Sequence, residues 1–132
     1  MNIAYILFAH GSRVESANEA VRAVAEELER AGDFGAVAVA FLDCAPPDLT
    51  TTIDSLAARG ADRIAVIPYF LTLGRHAAED LPRIVREASR IHTGVRIEVA
   101  PPLDGHPALL RALRDRAHAI TGEFREGQGS AR

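Results

Sequence analysis

The sequence predicts an α/β fold: a single doubly wound domain with a four-stranded parallel sheet and helices on both faces. Three observations predict it. Short apolar runs alternate with segments of helical periodicity. The first run, Ile3 to Ala9, is apolar throughout, as a strand buried on both faces of a parallel sheet should be. Gly and Pro mark the boundaries between segments. Strands that alternate with helices are joined by crossovers, which are right-handed in nearly every parallel sheet. The expected strand order is 2-1-3-4, by analogy with other doubly wound sheets.

Each element follows from its residues. After Ile3 to Ala9 comes the polar turn His10-Gly11-Ser12-Arg13. From Ser16 to Arg30, Ala17, Ala20, Val21, Val24, Ala25 and Leu28 have the spacing of one helix face, and Gly32 closes the segment. Val37 to Leu42 reads as a second strand, Asp43 to Asp48 as a loop, and Leu49 to Arg59 as a short helix stopped by Gly60. Arg63 to Phe70 is the third strand, and Leu71 to His76 the loop after it. A helix is predicted from Ala77 to Ile91, with Leu81, Ile84, Val85, Ala88 and Ile91 on one face. Pro82 would sit near its start, where a missing N–H costs least. Val95 to Val99 is the fourth strand. Pro107 opens a last helix through Ile120, with Leu109, Leu110, Leu113, Ala117 and Ile120 as its inner face.

Composition limits the function classes. A chain of 132 residues fits one domain, expected over 1–121, followed by a polar, Gly-rich tail over 122–132 that should fray. The net charge of −3 gives no reason to expect a nucleic-acid partner. The single cysteine, Cys44, rules out an intrachain disulfide and suits a reducing compartment. No stretch reaches the ~18 apolar residues of a membrane span. The first residues lack the basic stretch and cleavage site of a signal peptide, so a cytoplasmic protein is expected.

In open α/β sheets, ligands bind beyond the carboxyl ends of the strands. That rule selects the loops holding His10, Asp43, His76 and His106. A single loop histidine is more often a turn residue than a ligand. Three groups on neighbouring loops say more. If the first strand lies between the second and third, then His10, Asp43 and His76 converge at one sheet edge. Two imidazoles and a carboxylate suit Co²⁺, Fe²⁺, Ni²⁺ or Zn²⁺ and leave coordination positions open for chemistry. Gly11-Ser12 could cradle a phosphate, but no Walker or G-x-G-x-x-G pattern accompanies it. Ser12 with His10 could suggest acyl transfer, but the nucleophile elbow is absent. Cys44 reads most simply as a small buried packing residue.

These residues resemble a known family. They are similar to the small, short-form CbiX/SirB-type sirohydrochlorin chelatases, the class II chelatases. The matching pieces are His10-Gly11-Ser12-Arg13, then Ala40-Phe41-Leu42-Asp43 with Pro46. Next come Ile67-Pro68-Tyr69-Phe70-Leu71 with Gly74, His76, Asp80 and Pro82, and last Ala100-Pro101-Pro102-Leu103 with Gly105, His106 and Pro107. Together they cover residues 3–120 in the family's order.

The resemblance implies a lyase-type enzyme that inserts a divalent metal, Co²⁺, Fe²⁺ or Ni²⁺, into sirohydrochlorin for cobalamin or sirohaem biosynthesis. The metal is then a substrate, and no organic cofactor is expected. By position, His10 and His76 match the family's metal-handling histidines. Asp43 stands where the family often has Glu. It is one methylene shorter, so direct ligation and ligation through water are both open. Ala9 stands where the family often has Gly. Neutral imidazole can bind metal or accept a pyrrole proton. Arg13 and Arg75 flank the two histidines, and guanidinium matches the carboxylates of sirohydrochlorin. Ser12 adds a hydroxyl, and His106 is either a substrate contact or a helix cap. The resemblance also implies a homodimer, with no nucleic acid or membrane partner. A non-enzymatic metal or tetrapyrrole carrier would use the same ligands and differ by binding without turnover. A phosphoester hydrolase using His10 would differ by its substrate.

Overall fold

Strands and helices alternate along the chain as β1 (Ile3–Ala9), α1 (Glu15–Arg30), β2 (Val37–Phe41), α2 (Leu49–Ala58), β3 (Arg63–Pro68), α3 (Arg75–Ile91), β4 (Arg96–Val99) and α4 (Pro107–Thr121). They are seen in a computed structural model that describes residues 2–122. The fraying tail expected over 122–132 lies, beyond Gly122, outside the described residues. The chain forms two compact units, one ending at Pro102 and one beginning at Leu103.

The first unit holds the sheet. All neighbours are parallel, in the order β2-β1-β3-β4, as predicted. β1 is paired on both edges, with Tyr5 opposite Val37 on one side and Leu7 opposite Ile67 on the other. Side chains alternate between the two faces. Ala4, Ile6, Phe8, Ala40, Ile64 and Val66 form one core with Leu49, Ile53 and Leu56 of α2 and Leu81 and Ala88 of α3. Leu7 and Val37, with Tyr5, Val39 and Ile67, pack on the other face against Ala25, Val21, Val24 and Leu28 of α1. Each buried Ile, Leu or Phe contributes roughly 1.5–3 kcal/mol by leaving water.

Several boundaries differ from the sequence reading, each for a local reason. β3 stops at Pro68, and the next residue leaves the ladder after one bond, from the Tyr69 N–H to the Phe8 carbonyl at 2.7 Å. Val95 is not in β4, because its N–H closes the turn after α3 on the His92 carbonyl at 3.0 Å. α3 begins at Arg75, two residues earlier than predicted. Gly74 is extended and accepts the first helical bond from the Ala78 N–H at 2.9 Å. Pro82 is therefore the eighth residue of α3 rather than near its start. Its missing N–H leaves the Ala78 carbonyl without a helical donor, and both residues are exposed, so water can serve that carbonyl.

The second unit carries α4, which buries none of its side chains. Of its predicted inner face, Leu109 is half-buried, Leu110 and Leu113 are each 62% exposed and Ile120 is 88% exposed. Helical spacing identifies a stripe and does not say what covers it.

Asp48 caps α2. Its side chain accepts the Thr51 N–H at 2.8 Å, and that bond holds its carboxyl below the ordinary aspartate range. Asp48→Ala should cost about 1 kcal/mol of unfolding free energy at neutral pH. The depressed carboxyl gives the sign of the pH dependence. The advantage of wild type is complete above the ordinary aspartate value of ~3.9 and is lost as pH falls through the lower, folded value. Urea unfolding of both proteins at neutral and acid pH measures it, and equal midpoints at neutral pH would remove the cap from the account.

Candidate metal-handling site at the carboxyl ends of the strands

β1 delivers His10 from a rigid base. Phe8 and Ala9 are buried, and His10 is the first exposed residue after them. The pairing of β1 with the chain after β2 continues past the strand ends. The Leu42 N–H donates to the Ala9 carbonyl at 2.9 Å, and the Asp43 N–H donates to the His10 carbonyl at 3.0 Å. The backbones bearing His10 and Asp43 are thus tied directly together.

The turn itself needs glycine. Gly11 has φ of +89°, and a Cβ built there would stand 1.9 Å from the Asp43 carbonyl oxygen. The Ser12 hydroxyl accepts the Val14 N–H at 3.0 Å, which leaves its own hydrogen to donate. His10 Nδ1 lies 3.2 Å from the Gly11 carbonyl oxygen. A carbonyl can only accept, so this contact selects the tautomer with hydrogen on Nδ1 and leaves the Nε2 lone pair for a metal or a proton. The imidazole also meets Phe70 edge-on, with centroids 6.3 Å apart, and Phe70 packs on buried Phe8 at 5.7 Å.

The other predicted residues take defined places. Asp43 is exposed, and its Oδ1 accepts the Cys44 N–H at 2.8 Å. Cys44 is exposed rather than buried, and its backbone is left-handed, with φ of +67°. His76 lies in the first turn of α3, not in a loop, and Arg75 is the first residue of that helix. Both are exposed, while Ala77 beside them is buried and fixes the turn to the core. Arg13 is exposed between Ser12 and the start of α1. His106 caps α4, its Nδ1 accepting the Ala108 N–H at 3.0 Å. Among the described residues, no three of His, Cys, Asp and Glu gather closely enough to hold a metal ion. The structure therefore joins the His10 and Asp43 loops without assembling a three-ligand set.

Asn18 was missed by the sequence reading. It is 2% exposed and bonded on both sides to the backbone of Ser12. The signal was present: 18, 21, 25 and 28 share a helix face, and a polar residue on that buried face must be hydrogen-bonded.

The CbiX family's sequence model matches residues 4–120. The chain belongs to the CbiX family. It is 28% identical to a sirohydrochlorin cobaltochelatase of Methanopyrus kandleri, an alignment covering 92% of this chain and 99% of that protein. It is 32% identical to the sirohydrochlorin ferrochelatase of Bacillus subtilis, covering 91% of this chain and 46% of that one. The fold superposes on the sirohydrochlorin chelatase SirB from Bacillus subtilis subspecies spizizenii in complex with cobalt. The TM-score is 0.83 at 27% identity, covering 91% of this chain and 51% of that chain. This CbiX chain thus spans nearly all of the Methanopyrus protein and about half of each Bacillus protein.

Gly11→Ala tests the contact on which this CbiX turn depends. The clash and the left-handed backbone together should cost more than about 3 kcal/mol in chemical denaturation. A loss under about 1 kcal/mol would show that the Gly11–Asp43 approach is not kept in solution.

Proposed function

We propose that this chain is a sirohydrochlorin chelatase that inserts Co²⁺ or Fe²⁺ into sirohydrochlorin, in cobalamin or sirohaem biosynthesis. One observation carries the proposal. Within a CbiX match over residues 4–120, the histidines that follow the adjacent strands β1 and β3 both stand exposed beyond the carboxyl ends of the sheet. The metal is a substrate that passes through the site.

Insertion removes two pyrrole protons from the macrocycle and replaces them with one divalent ion. A site that hands its metal on must hold it with few ligands, and the remaining positions stay with water until the macrocycle nitrogens take over. His10 offers Nε2 for this task, since Nδ1 is engaged by the Gly11 carbonyl. His76 supplies the second imidazole from the first turn of α3. Both guide the ion; once it has passed to the macrocycle, the freed imidazole nitrogen of one of them takes one pyrrole proton and water takes the other. Asp43 contributes its free carboxylate oxygen, directly or through water. Arg13 and Arg75, both exposed beside the histidines, pair with the carboxylates of sirohydrochlorin.

We further propose a homodimer, in which a two-fold axis sets like surfaces face to face. No described helix is long and apolar enough to cross a membrane. A cytoplasmic setting is proposed on the chemistry of the substrate and the single cysteine.

His10→Ala and His76→Ala should each lower the rate of cobalt insertion by at least about 100-fold. Circular dichroism should remain that of the wild type. Asp43→Ala should lose about tenfold. The assay follows sirohydrochlorin absorbance with protein limiting, so turnover separates an enzyme from a carrier. Near-normal rates in either histidine variant would sink the assignment.

A further inference from the structure

We propose that Asn18 is the positioning residue of the His10 turn, and that its side-chain amide sets the tautomer and direction of the His10 imidazole; this rests on the chelatase reading above.

The placement of Asn18 has no explanation within its own helix. Asn is a poor helix former, and α1 is already begun when the chain reaches it. Its side chain is nonetheless buried and fully bonded. Oδ1 accepts the Ser12 N–H at 2.9 Å, and Nδ2 donates to the Ser12 carbonyl at 2.8 Å. The remaining Nδ2 hydrogen reaches Glu15 Oε2 at 3.3 Å. The amide thus engages both backbone groups of one residue, as one strand engages the next.

The consequence for His10 follows from peptide planarity. The Ser12 N–H and the Gly11 carbonyl belong to one rigid plane. Holding that N–H therefore aims the Gly11 carbonyl, and that carbonyl is the partner of His10 Nδ1 at 3.2 Å. A chain of fixed groups runs from Asn18 through one peptide to the imidazole. The far side is braced as well. Glu15 is paired with Arg22 at 2.6 Å, and the Arg22 guanidinium lies over the Phe41 ring, 5.6 Å from its centre. Phe41 ends β2, two residues before Asp43. The arginine bond and the Asn18 bond, in that order, hold the Glu15 carboxyl below its ordinary range.

The test combines NMR with turnover. Wild type should show the neutral His10 ring as the Nδ1–H tautomer and a slowly exchanging Ser12 amide. Asn18→Ala should give mixed tautomers and fast Ser12 exchange. Its kcat for cobalt insertion into sirohydrochlorin should fall about tenfold, with KM changed less than about twofold. Thr52→Val removes the other buried polar side chain described, on α2, and should leave kcat unchanged. Wild-type kcat in Asn18→Ala, or an equal loss in Thr52→Val, overturns the proposal. So does a wild-type His10 in the other tautomer, or an unprotected Ser12 amide, whether or not Asn18→Ala folds. If wild type inserts no metal, the chelatase reading fails, and the His10 and Ser12 signals then decide the role of Asn18 by themselves.

Discussion

β1 is hydrogen-bonded along both edges and buried on both faces, and the rest of the structure depends on that double engagement. Ile6 and Phe8 have no exposed surface. Both neighbours run parallel to it, so the chain must return over the faces of the sheet between strands. α1 covers one face, and α2 with α3 the other. The same constraint brings the ends of β2, β1 and β3 out side by side. Groups far apart in the chain thus become neighbours by the topology of a buried strand.

Three kinds of contact hold the residues at those ends. The loop after β2 is tied to β1 by backbone hydrogen bonds at Leu42 and Asp43. The loop after β3 leans on β1 through Phe70 against Phe8 and His10. His76 is carried by a helix whose first turn is fastened by buried Ala77. The first contact is short and directional, the second is the packing of rings, and the third transmits the position of an entire helix. His10 and Asp43 therefore share one rigid frame. His76 is held instead through the packing of α3, whose Leu81 and Ala88 share the core with Ile6 and Phe8.

Much of this was legible in the sequence, because burial leaves a compositional mark. The unbroken apolar run Ile3–Ala9 identified the central strand, and its neighbours followed from the alternation of periods. Loops after strands pointed to His10, Asp43 and His76. Boundaries were harder, since a single backbone bond decides them. Gly74 starts α3 early and moves His76 from a loop into a helix. Cys44 looked like a packing residue by type, yet residue type alone does not say which side of a loop a side chain takes, and it stands exposed. The leucines of α4 have the right spacing, yet spacing carries no knowledge of a partner. Asn18 was hidden for a further reason. Its partners are backbone atoms of Ser12, which no side-chain pattern records.

The His10 turn meets residue 43 through its backbone: the N–H donates to the His10 carbonyl, and the carbonyl oxygen lies where a Cβ at position 11 would stand, so every amino acid except proline can serve there. The Asp43 side chain bonds within its own loop, where Oδ1 accepts the Cys44 N–H at 2.8 Å. A longer acid at this position can thus keep both backbone contacts to the His10 turn. The fold separates the part that must stay fixed from a part that can be retuned, and the reach of the acid toward an incoming ion becomes an adjustable setting.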